Sequence, residues 1–163
     1  METNQYVLLK ESKVHNKGLF AKVNISKGTR VIEYVGNKTT KAKAEKIANR
    51  DIDENKNDSS KGAVYLFILN KKYDIDGNVP WNLAKWINHS CDPNCSVEII
   101  KGHIWIVADK EIKKGEEITY NYGYEFDEDT EKHICKCNSE KCVGYIVDQD
   151  HWEKLRELTK KSS

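Results

Sequence analysis

Apolar and polar positions alternate in short runs through the N-terminal third, at Tyr6 to Lys10, Gly18 to Val23 and Arg30 to Gly36, with polar turns such as Ser26-Lys27-Gly28 between them. Period-two patterning bounded by turn residues predicts strands, so the chain opens as sheet. From Lys41 to Arg50 the period changes: Ala44, Ile47 and Ala48 share one helical face, with Thr40 placed to cap its start. That spacing predicts a modest helix. The polar stretch Asp51 to Gly62 has no period and reads as a surface loop. Strand patterning returns at Ala63 to Asn70, Lys72 to Asp76, Cys95 to Ile100 and His103 to Asp109, the last two joined by Lys101-Gly102 as a hairpin turn. Ile118 to Tyr122 is a further short strand, and the acidic stretch Glu125 to Glu131 connects it to a cysteine cluster. At the end, Asp150 and Glu153 form a capping-box pair, and Trp152, Leu155 and Leu158 form an apolar stripe, predicting a helix over Asp150 to Lys160. The expected class is mostly β (α+β).

Composition narrows the function. A chain of 163 residues fits one domain with a real core and little room for a second. Its 27 basic and 26 acidic residues leave a formal net charge of +1. No global field favours nucleic acid, so no direct nucleic-acid binding is expected and any charged partner must be recognised locally. The first ten residues lack a basic segment followed by an apolar one, and no apolar run reaches membrane-spanning length, so neither a secretory leader nor a membrane partner is expected. Five cysteines, an odd number without an export signal, argue for an intracellular, reducing compartment in which thiols are free to bind metal.

Three of those thiols are clustered. Cys135, Cys137 and Cys142 form C-x-C-x4-C, a spacing that can place three thiolates around one ion. A tetrahedral structural zinc needs a fourth ligand, and Cys91 or Cys95 is the nearest supply. If the middle of the chain provides it, the tail must fold back over the residues beside it.

The run Trp86-Ile87-Asn88-His89-Ser90-Cys91-Asp92-Pro93-Asn94-Cys95 resembles the central motif of the SET-domain protein lysine methyltransferases. The likeness extends in order along the chain. Asn16-Lys17-Gly18-Leu19-Phe20-Ala21 is similar to the family's N-terminal G-x-G-x-F-A, Tyr65-Leu66-Phe67 to its Y-x-F, and Ile75-Asp76 to its I-D-A. Gly115 to Gly123 is similar to its G-E-E-L-T-x-D-Y, and Cys135 to Ile146 to the zinc-binding post-SET tail. The resemblance implies a β-clip of several small sheets, with the C-terminal motif threaded beneath a loop as a pseudoknot. It also implies a SET domain over 1–126, carrying a variable helix and loop insert at 37–62, and a post-SET tail and helix over 127–163. The cysteine-rich module that precedes the domain in some members is not expected.

The same resemblance implies S-adenosyl-L-methionine as methyl donor and a lysine-containing protein or peptide, histone tails among them, as acceptor. Tyr122 corresponds to the catalytic tyrosine, its hydroxyl orienting the amine and also meeting the cofactor at the methyl group, and Tyr65 lines the lysine channel and approaches the cofactor. Tyr120 holds the Phe/Tyr switch position, where a hydroxyl can retain a water in the space a growing methylammonium needs, so mono- or dimethylation is expected. Asn88 and His89 hold the cofactor, and Lys17, Gly18 and Leu19 meet it through backbone groups, glycine permitting close approach. The zinc ligands become Cys91, Cys135, Cys137 and Cys142, with Cys95 a small apolar strand residue.

Some positions depart from the pattern. Asn16 stands for a glycine, Lys85 for Arg, Trp86 for Phe and Asn121 for Asp, while Trp81 is placed to narrow a substrate groove. Asn tolerates the positive φ that a glycine position demands. Two other classes fit less well: a silent SET-like binding module, for which Tyr65, Asn88, His89 and Tyr122 would be superfluous, and a zinc-stabilised interaction domain. The implied location is nucleus or chromatin for a eukaryotic source, and cytoplasm or a host cell for a microbial one.

Overall fold

Two strands open the molecule, β1 (Val7–Glu11) and β2 (Lys17–Ala21), paired antiparallel with Val7 opposite Ala21. They belong to a computed structural model that describes residues 4–55 and 64–161, with side chains described for 4–51 and 64–157. The turn between them passes through Asn16 at φ +33°, the tolerance expected of that residue.

Next come β3 (Arg30–Tyr34), β4 (Asn37–Thr40) and helix α1 (Lys41–Asn55). Strand β4 escapes the hydrophobic pattern because its sequence is Asn-Lys-Thr-Thr and only Thr39 is buried. Tertiary pairing with a later strand outweighs its weak propensity. In α1 Ala44 is buried and Ile47 and Ala48 half-buried, the face that their spacing predicts. The helix runs five residues past Arg50, correcting the loop expected from Asp51; Asp51 is itself buried and bonded to Arg50 Nε and Nη2. The rest of that expected loop, Ala63 and the Leu158 side chain lie outside the described residues.

The remaining strands are β5 (Leu66–Ile68), β6 (Tyr73–Asp76), β7 (Asn88–His89), β8 (Cys95–Ile100), β9 (His103–Ala108) and β10 (Thr119–Tyr120). A 3-10 turn at Leu83–Trp86 leads into β7. Among the described residues these strands form four small sheets: β1-β2, β4-β6-β5, β3-β9-β8 and the parallel pair β7-β10. The β8–β9 hairpin turns at Lys101 (φ +52°) and Gly102 (φ +82°), both in the left-handed region that a two-residue hairpin loop requires. A register shift between Arg30 and Ile32 lets both Val31 and Ile32 face inward.

The core lies between these sheets, with Leu19, Ile25, Val31, Ile104, Ile106, Ile112 and Ile118 essentially sealed from solvent. The segment before β10 is stitched to β2 by Ala21 N to Glu116 O (2.8 Å) and Ile118 N to Leu19 O (2.7 Å). It then turns to pair Thr119 with Asn88 and Tyr120 with His89. That parallel pairing brings the two most motif-rich segments side by side. The last helix, α2 (Trp152–Lys161), starts later than the capping box suggests: Asp148, not Asp150, supplies the cap, its carboxylate accepting from Asp150 N at 2.9 Å ahead of a single 3-10 turn.

Candidate active site

Parallel pairing of β7 and β10 puts Tyr122 beside the Ile87-Asn88-His89 segment. The Tyr122 hydroxyl donates to Ile87 O at 2.9 Å, and its amide donates to His89 Nδ1 at 3.2 Å. From Tyr122 a row of rings extends both ways: Tyr34–Phe67 at 5.0 Å, Phe67–Tyr120 at 6.0 Å, Tyr120–Tyr122 at 5.0 Å, Tyr122–Tyr124 at 5.8 Å and Tyr124–His133 at 5.1 Å. These rings, with Tyr65, wall a cavity of about 430 Å³ whose rim carries Glu125 and Asp127. Lys85 also borders it, its ammonium set over the rings of Tyr65 (5.6 Å) and Trp86 (5.4 Å). Trp81 is 64% exposed and, among the described residues, is not part of that lining.

Burial sets the state of the phenols. Tyr34, Tyr120, Tyr122 and Tyr124 are all held above the ordinary phenol range, chiefly because desolvation penalises a phenolate and, for all but Tyr124, because neighbouring tyrosines would repel one. They are neutral hydroxyls at any physiological pH. The Tyr122 proton is committed to Ile87 O, so its oxygen faces other groups as an acceptor. Tyr65 contributes its backbone too, its carbonyl accepting from Tyr34 Oη and Gly77 N, both at 2.8 Å.

Behind the ring row lie the expected cofactor residues. Lys17 O accepts from Asn88 Nδ2 at 3.0 Å, while the Lys17 ammonium sits 5.2 Å over the Trp86 ring. Leu19 is a core side chain whose carbonyl anchors Ile118. A Cβ on Gly18 would lie 2.2 Å from Glu117 Oε1 and 3.0 Å from Asn88 Nδ2, so glycine is needed here for close approach by protein groups. The buried His89 imidazole is enclosed by Tyr122 N on one side and Cys91 Sγ (3.5 Å) on the other, and burial lowers its pKa to about 4. It is neutral and structural in its contacts.

The ligand atoms of Cys91, Cys135, Cys137 and Cys142 all lie within 4.8 Å of one another, with Cys91 and Cys135 sulfurs 3.7 Å apart. Tetrahedral thiolates about 2.3 Å from a zinc ion stand about 3.8 Å apart, so this donor set fits such an ion. Backbone amides point at two of the sulfurs, Cys91 N at Cys137 Sγ and Cys137 N at Cys135 Sγ, each at 3.5 Å, yet burial still pushes the Cys91 thiol up to about 11 and the Cys135 thiol far above the usual range. At Cys137 such hydrogen bonds and those from Ser139 outweigh the opposing desolvation and bring the thiol down to about 6. Cys95 stands apart in the core, its thiol pushed up to about 12 by burial and the Asp109 charge.

Residues 16–123 match the SET domain family model. The chain belongs to the SET-domain family. The H3 lysine-4 specific histone-lysine N-methyltransferase of Emericella nidulans is 39% identical over 140 residues, covering 83% of this chain and 11% of that protein. The protein of the same name in Schizosaccharomyces pombe is 39% identical over 139 residues, 83% of this chain and 14% of that protein. Histone-lysine N-methyltransferase 2D of Homo sapiens is 34% identical over 149 residues, 89% of this chain and 3% of that protein. The chain thus spans a small part of the length of each. Within this SET domain the family match ends at Gly123, so Cys91 lies inside it and the other three cysteines beyond it.

Several residues of the site carry no signal in the hydrophobic pattern. Glu117 and Asn94 are polar side chains inside motifs: Asn94 clamps β10, accepting from Thr119 N (2.9 Å) and donating to Glu117 O (2.8 Å). Tyr34 reads as an ordinary strand core residue, and His133 reads as a loop residue beside the cysteines. Among the described residues no helix is long and apolar enough to cross a membrane.

Proposed function

We propose that this SET domain is an S-adenosylmethionine-dependent protein-lysine N-methyltransferase, acting on a lysine in a basic, histone-like tail and adding one or two methyl groups. The observation that carries the reading is the tyrosine-walled cavity, whose lining includes both Ile87 and Tyr122, joined by the bond from the Tyr122 hydroxyl to Ile87 O. A slot of aromatic rings suits the four-carbon stem of lysine, which buries its apolar area against them.

When bound, S-adenosylmethionine supplies an electrophilic methyl group on a sulfonium. Everything else falls to the chain. A free lysine amine, with a pKa of about 10.4, is protonated at neutral pH, and an apolar channel favours its neutral, nucleophilic form. Neutral phenols do not act as bases here, so the proton leaves toward solvent at the cavity mouth rather than to Tyr120, Tyr122 or Tyr124. With its own proton on Ile87 O, the Tyr122 oxygen accepts from the amine N–H and fixes the direction of its lone pair. Tyr120 limits the room around that nitrogen, which supports mono- or dimethylation. Lys17, Gly18, Leu19, Asn88 and His89 form the donor side of the site, the His89 ring acting through the backbone it fixes.

In this proposal one zinc ion on Cys91, Cys135, Cys137 and Cys142 closes the tail of 127–163 onto the SET domain of 1–126. Relatives named for histone methylation support a nuclear, chromatin-bound setting in a eukaryotic cell. Incubation with methyl-labelled S-adenosylmethionine, mixed histones and a whole-cell extract tests the reading. Label should appear on lysine with the natural chain and vanish with Tyr122→Phe; no transfer to any protein pool overturns it.

A further inference from the structure

Glu117 holds more partners than a turn residue needs. Its neighbour Glu116 only caps the local turn, one carboxylate oxygen accepting from Lys113 N at 2.9 Å. Glu117 instead reaches across the molecule. Its Oε1 accepts from Asn88 Nδ2 at 2.7 Å and from Ser12 Oγ at 2.8 Å, with Oε2 2.9 Å from the same hydroxyl. Gly18 makes room for it, since any Cβ there would collide with Oε1. Ser12 in turn organises the β1–β2 connection, its hydroxyl accepting from Val14 N (3.0 Å) and its amide donating to Asn16 O (3.1 Å).

This arrangement decides which way Asn88 points. A carboxamide has two N–H donors and one carbonyl acceptor. Asn88 spends one donor on Glu117 and the other on Lys17 O at 3.0 Å. The flipped amide would set its carbonyl against a carboxylate and a second carbonyl with no proton between them, an arrangement with two lost hydrogen bonds and added repulsion. Oδ1 is what Asn88 has left to offer, and among the described residues no donor reaches it.

We propose that Glu117 is a positioning residue for the methyl donor: it locks the Asn88 amide with Oδ1 presented to the donor's α-ammonium, and pins the Ser12–Asn16 turn on the same carboxylate. Cofactor turn and Asn88 then move as one unit. The inference rests on the donor assignment of the proposed function.

Two substitutions of similar volume separate orientation from packing. Glu117→Gln keeps an acceptor for Asn88 Nδ2; Glu117→Met fills the same space with none. In calorimetric titration of the full chain with S-adenosylhomocysteine, Gln should bind within about twofold of the natural chain and Met about tenfold more weakly, as loss of the hydrogen-bond acceptor implies. In turnover the Met loss should appear in KM for the donor, with kcat held within about twofold. Equal binding by Gln and Met, or an unchanged Met variant, overturns the inference. Should Glu117→Met fail to fold, Ser12→Ala frees the carboxylate from the turn without touching Asn88 and should weaken binding about threefold; unchanged affinity there overturns it equally. If the natural chain does not bind S-adenosylhomocysteine, the donor assignment itself fails, an outcome read before any variant is compared.

Discussion

The imidazole of His133 meets the ring of Tyr124 edge to face, 5.1 Å between centroids and 74° between planes, and both rings wall the aromatic cavity. His133 lies two residues before Cys135, and its carbonyl accepts from Ile146 N at 2.7 Å across a bridge that pairs Ile134 with Tyr145. The cysteine cluster therefore adjoins the segment that supplies one wall of the aromatic cavity. Stripping metal with a chelator, or replacing Cys137 by serine, should reduce methyl transfer by at least about tenfold while the β-sheet core still melts cooperatively. Metal content, circular dichroism and activity measured on one preparation check this. Full activity in metal-free protein would break the link.

Tyr122→Phe deletes one oxygen from the cavity lining and leaves Ile87 O without its 2.9 Å partner. An orphaned carbonyl costs about 1–3 kcal/mol of stability. The larger effect should be on kcat, down about 10²-fold or more, because the lost acceptor aligns the reacting amine. Binding of S-adenosylhomocysteine should be nearly unchanged. A variant that loses donor affinity and keeps kcat would assign the hydroxyl to cofactor binding instead.

Tyr120 is 9% exposed, with its ring 5.0 Å from Tyr122 and 6.0 Å from Phe67. Removing its hydroxyl enlarges the space at the cavity end by about one oxygen atom and dismisses any water held there. Tyr120→Phe should therefore move the product of exhaustive reaction from mono- or dimethyllysine toward trimethyllysine. Mass spectrometry reads the shift directly, and an identical product distribution would remove Tyr120 from the control of methylation state.

Much of this site could be read without coordinates because its pieces are short linear motifs: Asn88-His89-Ser90-Cys91 and Tyr120-Asn121-Tyr122 each sit on one stretch of chain. Asn16 at φ +33° was legible for the same local reason. What stayed hidden is non-local. Strand β4 has no apolar alternation and exists because β6 pairs with it. Glu117 looks like any turn carboxylate until Ser12, more than a hundred residues away in the chain, is brought to it. Family likeness makes Gly18 a cofactor contact, and nothing in the sequence signals that the atom nearest its missing Cβ belongs to Glu117. Family likeness separates Cys91 from Cys95; in the fold the Cys91 sulfur stands with those of Cys135, Cys137 and Cys142, while Cys95 packs in the hydrophobic core.

Four phenols, Tyr34 and Tyr120 buried and Tyr122 and Tyr124 half-buried, make stability depend on alkaline pH. Tyrosines of the unfolded chain ionise near pH 10, while Tyr34, Tyr120, Tyr122 and Tyr124 resist ionisation in the fold. Below about pH 10 both states keep their protons and nothing is lost; above it the unfolded state sheds protons that the folded state retains, so unfolding becomes easier. Each such phenol contributes a fall of up to about 1.4 kcal/mol per pH unit. Urea midpoints between pH 8 and pH 11 should decline beyond pH 10, and Tyr124→Phe should make the decline shallower by roughly one proton's worth. An equal slope in the variant would mean that Tyr124 ionises freely in the fold.

Glu125 and Asp127 stand exposed on the cavity rim, with Asp127 Oδ1 accepting from Asp129 N at 2.9 Å and Glu125 Oε2 3.2 Å from His151 Nε2. The opposing charge at the cavity is Lys85, whose ammonium is engaged over Tyr65 and Trp86. On the proposed function, the rim should therefore favour a peptide with a cationic residue beside the target lysine. Because both carboxylates are exposed, their effect is modest and screened by salt. Glu125→Gln combined with Asp127→Asn, which keeps an acceptor for Asp129 N, should raise KM for an arginine-flanked lysine peptide a few-fold at low ionic strength. The difference should shrink at high salt, and an alanine-flanked peptide should feel little change. If both peptides respond alike, the rim acts on folding or on the tail, and the basic preference must come from elsewhere in the groove.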